Sequence, residues 1–80
     1  MNKNNKVETV ICYQLQRQRT AGAYRGISLH NSHDDAVAAL ADIAKKTNPR
    51  RPYDGGDAWK DSTDVHCCTR YRIVPLTMCL

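Results

Sequence analysis

Long hydrophobic runs are absent from this 80-residue sequence. No stretch approaches the ~18 apolar residues of a membrane-spanning helix, so we expect no contact with a membrane. The polar start, residues 1–6, is also not followed by an apolar stretch of the secretory kind. We therefore expect a cytoplasmic location, in which Cys12, Cys67, Cys68 and Cys79 stay reduced and form no disulfide framework.

Motifs for phosphate loops and calcium sites are lacking as well. The four glycines form no phosphate-binding loop, because Gly55 and Gly56 are a lone pair inside a turn. The aspartates of residues 54–64 lack the stepwise spacing and the final glutamate of an EF-hand loop. A chain of this size has a thin core with little room for a catalytic cleft. We expect neither an enzyme nor a bound cofactor.

Histidine and cysteine supply the ligand types of a zinc site, but their spacing is poor. The candidates are His30, His33, His66, Cys67 and Cys68. Neighbouring residues on a strand point to opposite faces, so Cys67 and Cys68 cannot readily bind one metal ion. For the same reason, His66 and Cys67 cannot readily act together as a catalytic base and a nucleophile. We interpret these residues as structural thiols and surface imidazoles, with no metal bound.

The chain is moderately basic. Twelve lysines and arginines against eight aspartates and glutamates give a formal charge of +4. Arginine suits the recognition of phosphate and carboxylate groups, so an acidic or polyanionic partner is favoured. A charge of this size also serves solubility alone.

Alternation of apolar and polar residues predicts three strands, at 7–15, 23–29 and 65–76. The first two form a hairpin. Gly26, inside the second strand, weakens that strand or marks a bulge. Pro75 cannot donate a hydrogen bond, so it should end the pairing or lie at an edge.

One helix is predicted at 34–46. Ser32 begins a variant of the capping box, with Asp35 three residues later, and Pro49 closes the segment. The helix is rich in alanine, so it can pack close to a sheet. Its apolar stripe comprises Ala36, Val37, Leu40, Ile43, Ala44 and Thr47.

These elements predict a single α+β domain over residues 1–80, in the order β-β-α-β. Residues 1–6 are expected to be a flexible arm, and 48–64 a long surface loop. If the last strand lies beside the first, the sheet order is 2-1-3 and all neighbours are antiparallel. One helix covers one face of this sheet. The other face carries Arg70 and Arg72 and is open to water or to a partner.

A basic cluster with aromatic residues between its members is the feature most suggestive of binding. The candidate contact residues are Arg17, Arg19, Lys45, Lys46, Arg50, Arg51, Tyr53, Trp59, Arg70 and Arg72. Such cations attract phosphates, and an aromatic ring beside them can stack on a base. The ordinary alternative is a helix end with its usual lysines, followed by a loop whose Trp59 folds back onto the core.

The layout resembles that of small phage-encoded accessory proteins, including some anti-CRISPR proteins. The resemblance consists of the short polar start, the strand at 7–15, the capped alanine-rich helix at 32–46 and the closing Tyr-Arg-Ile-Val-Pro at 71–75. It implies a stoichiometric inhibitor that docks on host defence machinery through charged surfaces, in the cytoplasm of the host cell.

We therefore expect a non-enzymatic inhibitor or regulator that occludes a host protein or nucleoprotein complex. Its contact surface would be the Arg/Tyr/Trp loop together with the open strand face. The alternative is a small basic nucleic-acid-binding protein that contacts phosphates through Arg and Lys and stacks bases on Tyr and Trp. A monomer and a homodimer both fit the sequence.

Overall fold

The structure is a computed structural model that describes residues 8–19, 22–64 and 68–79. The predicted arm, residues 1–6, lies outside this part of the chain. The elements in chain order are β1 (Glu8–Gln18), β2 (Arg25–His30), α1 (His33–Thr47), β3 (Ala58–Lys60) and β4 (Arg70–Cys79). The α+β class and the single helix agree with the sequence-based prediction.

The strands form one antiparallel sheet in the order β2-β1-β4-β3. The last of the three long strands does lie beside the first, so these strands have the order that was expected for that case, with β1 between β2 and β4. The short strand β3 was not predicted, and the assignment of 48–64 as a loop throughout is wrong at Ala58–Lys60. Its central residue, Trp59, lies opposite Tyr71 of β4. A three-residue strand is too short to show a period in the sequence.

Two bulges shape the central strand pairs. At the first, Gln16 lies opposite Gly26 while Leu15 lies opposite Ser28, so Ile27 is the additional residue of β2. The side chain of Gln14 occupies the space that a Cβ atom of Gly26 would need. The glycine therefore marks a bulge, as predicted, and also makes room for a glutamine.

The second bulge places Ile11 between the pairs Val10–Thr77 and Cys12–Leu76. Over residues 8–12, β1 pairs with β4 alone within the described chain, and this part of the sheet is a two-stranded ribbon. Val10 and Ile11 are 45% and 52% exposed there.

The last strand starts later and ends later than predicted. Residues 65–67 lie outside the described chain, and Cys68 and Thr69 precede the strand. Thr69 instead donates its N–H to Asp61 Oδ1, at 2.8 Å, as part of a loop. Pro75 does not end the pairing, because β4 continues to Cys79. It lies beyond the three residues that pair with β3, so the prediction of an edge position is confirmed.

A capping hydrogen bond is present at each end of the helix. Ser32 Oγ accepts a hydrogen bond from the N–H of Asp35 at 3.1 Å, and the N–H of Asn48 donates to Ala44 O at 2.9 Å. Relative to the prediction, the helix gains one residue at each end. Thr47, which was assigned to the apolar stripe, is exposed at the last position of the helix. This helix is too short and too polar to span a membrane, and the described chain contains no helix that could.

The core lies between α1 and one face of the sheet. Leu15 of β1 and Leu40 of α1 are fully buried at its centre. Trp59 and Tyr71 close one end, with ring centroids 5.8 Å apart, and Trp59 is only 7% exposed. No described residue accepts a hydrogen bond from Trp59 Nε1. The opposite face of the sheet has no helix on it among the described elements.

We expect Ser32→Ala to lower the free energy of unfolding by about 1 kcal/mol, because the N–H of Asp35 loses its acceptor. Ser32→Asn, which retains a capping oxygen, should remain close to the wild type. Urea denaturation followed by circular dichroism measures both. An equal loss in the two variants would contradict a capping role.

Trp59→Ala should destabilise the protein by about 3–5 kcal/mol, as expected for removal of a large buried side chain. Trp59→Phe should cost clearly less, because the indole N–H that it removes has no hydrogen-bond partner among the described residues. Circular dichroism is the suitable readout, since Trp59 is the single tryptophan. An unchanged midpoint for Trp59→Ala would show that Trp59 is a surface residue.

Candidate functional site

We call the face of the sheet opposite α1 the open face. Side chains alternate along a strand, so the neighbours of buried Leu15, Tyr71 and Trp59 point away from the helix. The strand register aligns these neighbours in rows across the sheet. The open face comprises Gln14, Gln16, Gln18, Leu29, Ala58, Lys60, Arg70, Arg72 and Val74.

A chain of polar contacts fixes the middle of the open face. Arg72 Nε donates to Gln16 Oε1 at 2.7 Å, and Gln16 Nε2 donates to Gln14 Oε1 at 2.7 Å. The Arg72 guanidinium also lies over the ring of Tyr24, 3.7 Å from its centroid. A guanidinium held by an amide and an aromatic ring loses less rotamer freedom when it meets a partner. Arg72 is nevertheless exposed.

The cations of the open face are not neutralised within the described chain. No carboxylate there forms an ion pair with Lys60, Arg70 or Arg72. Lys60 lies directly opposite Arg70 on the neighbouring strand, which concentrates positive charge at this side of the sheet.

The loop aspartates are engaged in the fold. Asp54 Oδ1 accepts from the N–H of Gly56 at 2.8 Å, and Asp61 Oδ1 accepts from the N–H of Thr69 at 2.8 Å. Asp57 Oδ1 is hydrogen-bonded to His33 Nε2 at the start of α1. The carboxylates that the sequence places near the arginines therefore stabilise turns and a helix end.

A depression of about 420 Å³ lies where the open face meets the loop after α1. Lys60 and Arg70 line it from the sheet, and Tyr24 lines it from the position before β2. Arg51 and Asp54 line it from the loop. Three cations against one carboxylate make this depression suited to an acidic side chain of a partner.

Three of the four predicted contact residues of the loop serve the fold. Arg51 Nε donates to Lys60 O at 2.6 Å and holds the loop against β3. The Tyr53 hydroxyl donates to Gly56 O at 2.6 Å, and Trp59 is buried. The prediction that Trp59 is an exposed anchor is therefore wrong, and the alternative that it folds back onto the core is correct. Arg50 is exposed.

The remaining predicted contact residues are distributed over separate places. Arg17 and Arg19 lie at the hairpin end of the sheet, where they line another cavity. Lys45 lines a groove between α1 and the loop, and Lys46 is paired with Asp42 at 3.1 Å. Of the predicted set, the open face gathers only Arg70 and Arg72.

Sequence reasoning missed Tyr24 and Lys60. Lys60 follows Trp59, and the burial of Trp59 in a strand would have placed Lys60 on the opposite side. Tyr24 has no comparable pattern, because only the pairing of β1 with both β2 and β4 brings its ring under Arg72.

No family model, no curated protein and no solved structure matches the chain. Its function must therefore be inferred from its own geometry. Within residues 8–19, 22–64 and 68–79, no group of three metal-ligating side chains comes together. Of the zinc candidates, His30 is hydrogen-bonded to Ser28 Oγ at 2.7 Å and Cys68 is buried, while His66 and Cys67 lie outside these residues.

The pKa of Tyr53 is raised above the usual 10.0 by burial of its hydroxyl, and further by the charges of Asp54 and Asp57. A raised pKa means that the unfolded chain releases this proton first as the pH rises. The contribution of Tyr53 to the free energy of unfolding is thus fully present below about pH 10 and is lost as the pH rises above it.

Tyr53→Phe should lower the free energy of unfolding by about 0.5–1.5 kcal/mol at pH 7, because the hydrogen bond to Gly56 O is lost. The difference between variant and wild type should shrink as the pH rises above 10, since only the wild type then loses the Tyr53 contribution. Denaturant unfolding at pH 7 and at several alkaline pH values measures this. A difference that grows with pH would contradict the raised pKa.

Proposed function

We propose that the protein is a non-enzymatic inhibitor or regulator that docks its open face onto an acidic surface of a host protein or nucleoprotein complex. The observation that carries this proposal is the row of unneutralised cations, Lys60, Arg70 and Arg72, on a sheet face that α1 leaves uncovered. Occlusion of the partner's surface would be the mechanism. The resemblance of the layout to that of small phage-encoded accessory proteins is the reason for proposing the same mode of action and a phage origin.

The mixture of side chains on the open face favours a protein as the occupant. Arg72 and Tyr24 are of the types that dominate binding energy at protein interfaces. Leu29, which is 62% exposed, and Val74 add apolar area beside the glutamine side chains. An apolar margin next to arginines matches the composition of protein interfaces.

The aromatic rings of the described residues offer little support for the nucleic-acid alternative. It requires exposed aromatic rings on which bases can stack. Trp59 is buried, Tyr53 is tied to Gly56 through its hydroxyl, and one face of the Tyr24 ring is covered by Arg72. Contacts to phosphates alone would remain.

The test compares two double variants that remove the same charge. Lys60→Glu with Arg70→Glu reverses two cations of the open face, and Lys45→Glu with Arg50→Glu reverses two exposed cations elsewhere. Proteins captured from nuclease-treated host lysate by the wild type are identified, and the affinity of each purified candidate is measured for all three proteins. The open-face variant should bind the partner at least about thirtyfold more weakly, equivalent to about 2 kcal/mol.

The control variant should retain the affinity of the wild type within a few-fold. Circular dichroism verifies that both variants are folded. If the Lys45 and Arg50 variant loses the partner instead, the surface at the end of α1 is the binding site and our proposal is wrong. If capture requires nucleic acid and falls steeply with salt, direct phosphate binding replaces protein docking.

A further inference from the structure

Three arginines surround a second cavity, at the hairpin end of the sheet. Arg17 of β1, Arg25 of β2 and Arg19 after β1 line a space of about 390 Å³, together with Gly22 and Ala23. This space is separate from the open face. Arg17 lies opposite Tyr71 and therefore on the face of the sheet that α1 covers, the same face as the core residues.

The arrangement of these arginines is unfavourable on its own. Arg17 and Arg25 are directly opposite each other in the β1–β2 pairing, and like charges at such positions destabilise a sheet. Among the described residues, no carboxylate, hydroxyl or carbonyl accepts a hydrogen bond from Arg17, Arg19 or Arg25. The donors of these three arginines are therefore left to solvent, and their charge is not compensated by a neighbouring carboxylate within the described chain.

The backbone next to the cavity is held in place. Gln18 Nε2 donates to Gly22 O at 2.8 Å and bridges the base of the hairpin loop. Gly22 has a φ of +149°, which L side chains rarely adopt, and a Cβ there would meet no atom within 4 Å. A glycine at position 22 therefore permits this backbone conformation.

We propose that Arg17, Arg19 and Arg25 form a binding site for a phosphate monoester. A monoester carries about two negative charges at neutral pH and presents three terminal oxygens, which match several guanidinium donors. The arginines line one cavity instead of following a track, so they suit a compact dianion better than a phosphodiester backbone. The cavity exceeds the size of a phosphate, which leaves room for the group that bears it.

Inorganic phosphate is the first probe. We expect saturable shifts of the backbone NMR signals of residues 17, 19, 22 and 25 when sodium phosphate replaces sodium chloride at constant ionic strength. The affinity should rise from about pH 5.5 to about pH 8, because inorganic phosphate becomes a dianion around pH 7, about one unit above a phosphate monoester. Shifts that chloride reproduces, or that never saturate, would overturn the proposal.

Substitutions of single arginines test which residues bind the phosphate. Arg17→Gln and Arg25→Gln should each weaken phosphate binding at least about tenfold, the size expected for loss of a charged hydrogen bond. Arg50→Gln, which removes an exposed arginine elsewhere, should leave the affinity unchanged. Without phosphate, the thermal midpoint of Arg25→Gln should equal or exceed that of the wild type, since the repulsion across the strands is relieved. Equal weakening by Arg50→Gln would indicate non-specific charge attraction and contradict the site.

Three further probes distinguish the source of the phosphate group. A phosphoserine peptide is compared with its unphosphorylated form, and both with a single-stranded oligonucleotide that has no terminal phosphate. Tighter binding of the phosphopeptide than of inorganic phosphate would assign the site to a phosphorylated protein, and equal binding would assign it to a small phosphate ester. If the oligonucleotide binds more tightly than either, the arginines serve a phosphodiester and the proposal is wrong.

Discussion

The antiparallel pairing of β1 with β4 joins the two ends of the described chain, from Glu8 opposite Cys79 to Gln18 opposite Arg70. This pairing makes β1 the central strand and decides which side chains share a face. It turns Tyr71 toward α1 and Arg72 toward water, and β3 can then add to the outer side of β4. Pairing between residues so distant in sequence carries a large loop-closure cost, which the core and the strand hydrogen bonds must offset.

The single alanine-rich helix also determines which residues of the sheet must fill the core. It contributes small buried side chains, Ala36 and Ala44, around one large one, Leu40. Trp59 and Tyr71 then supply much of the remaining bulk from the sheet itself. An aromatic residue that looked like a binding anchor is therefore needed for packing. The residues that we propose for binding are instead its polar neighbours, on the face that the helix leaves uncovered.

Local chemistry allowed part of this structure to be predicted. The cap at Ser32, the helix stripe and the long alternating strands depend on residues close in sequence. The all-antiparallel order followed only on the condition that the last strand pairs with the first, which no local pattern determines. The site depends instead on register. The contact of Arg72 with Tyr24, the pairing of Lys60 with Arg70 and the opposition of Arg17 and Arg25 arise only when distant strands align. No spacing within one segment encodes such neighbours.

The bulge at Ile11 affects how readily the exposed end of the sheet can pair with other chains. The two-stranded ribbon of β1 and β4 extends past both flanking strands, and it carries exposed Val10 and Ile11. A regular strand edge with such side chains would be a template for pairing with other chains. The additional residue breaks the even spacing of N–H and C=O groups and increases the local twist. One inserted residue thus makes this apolar edge a poorer template for a strand of another chain.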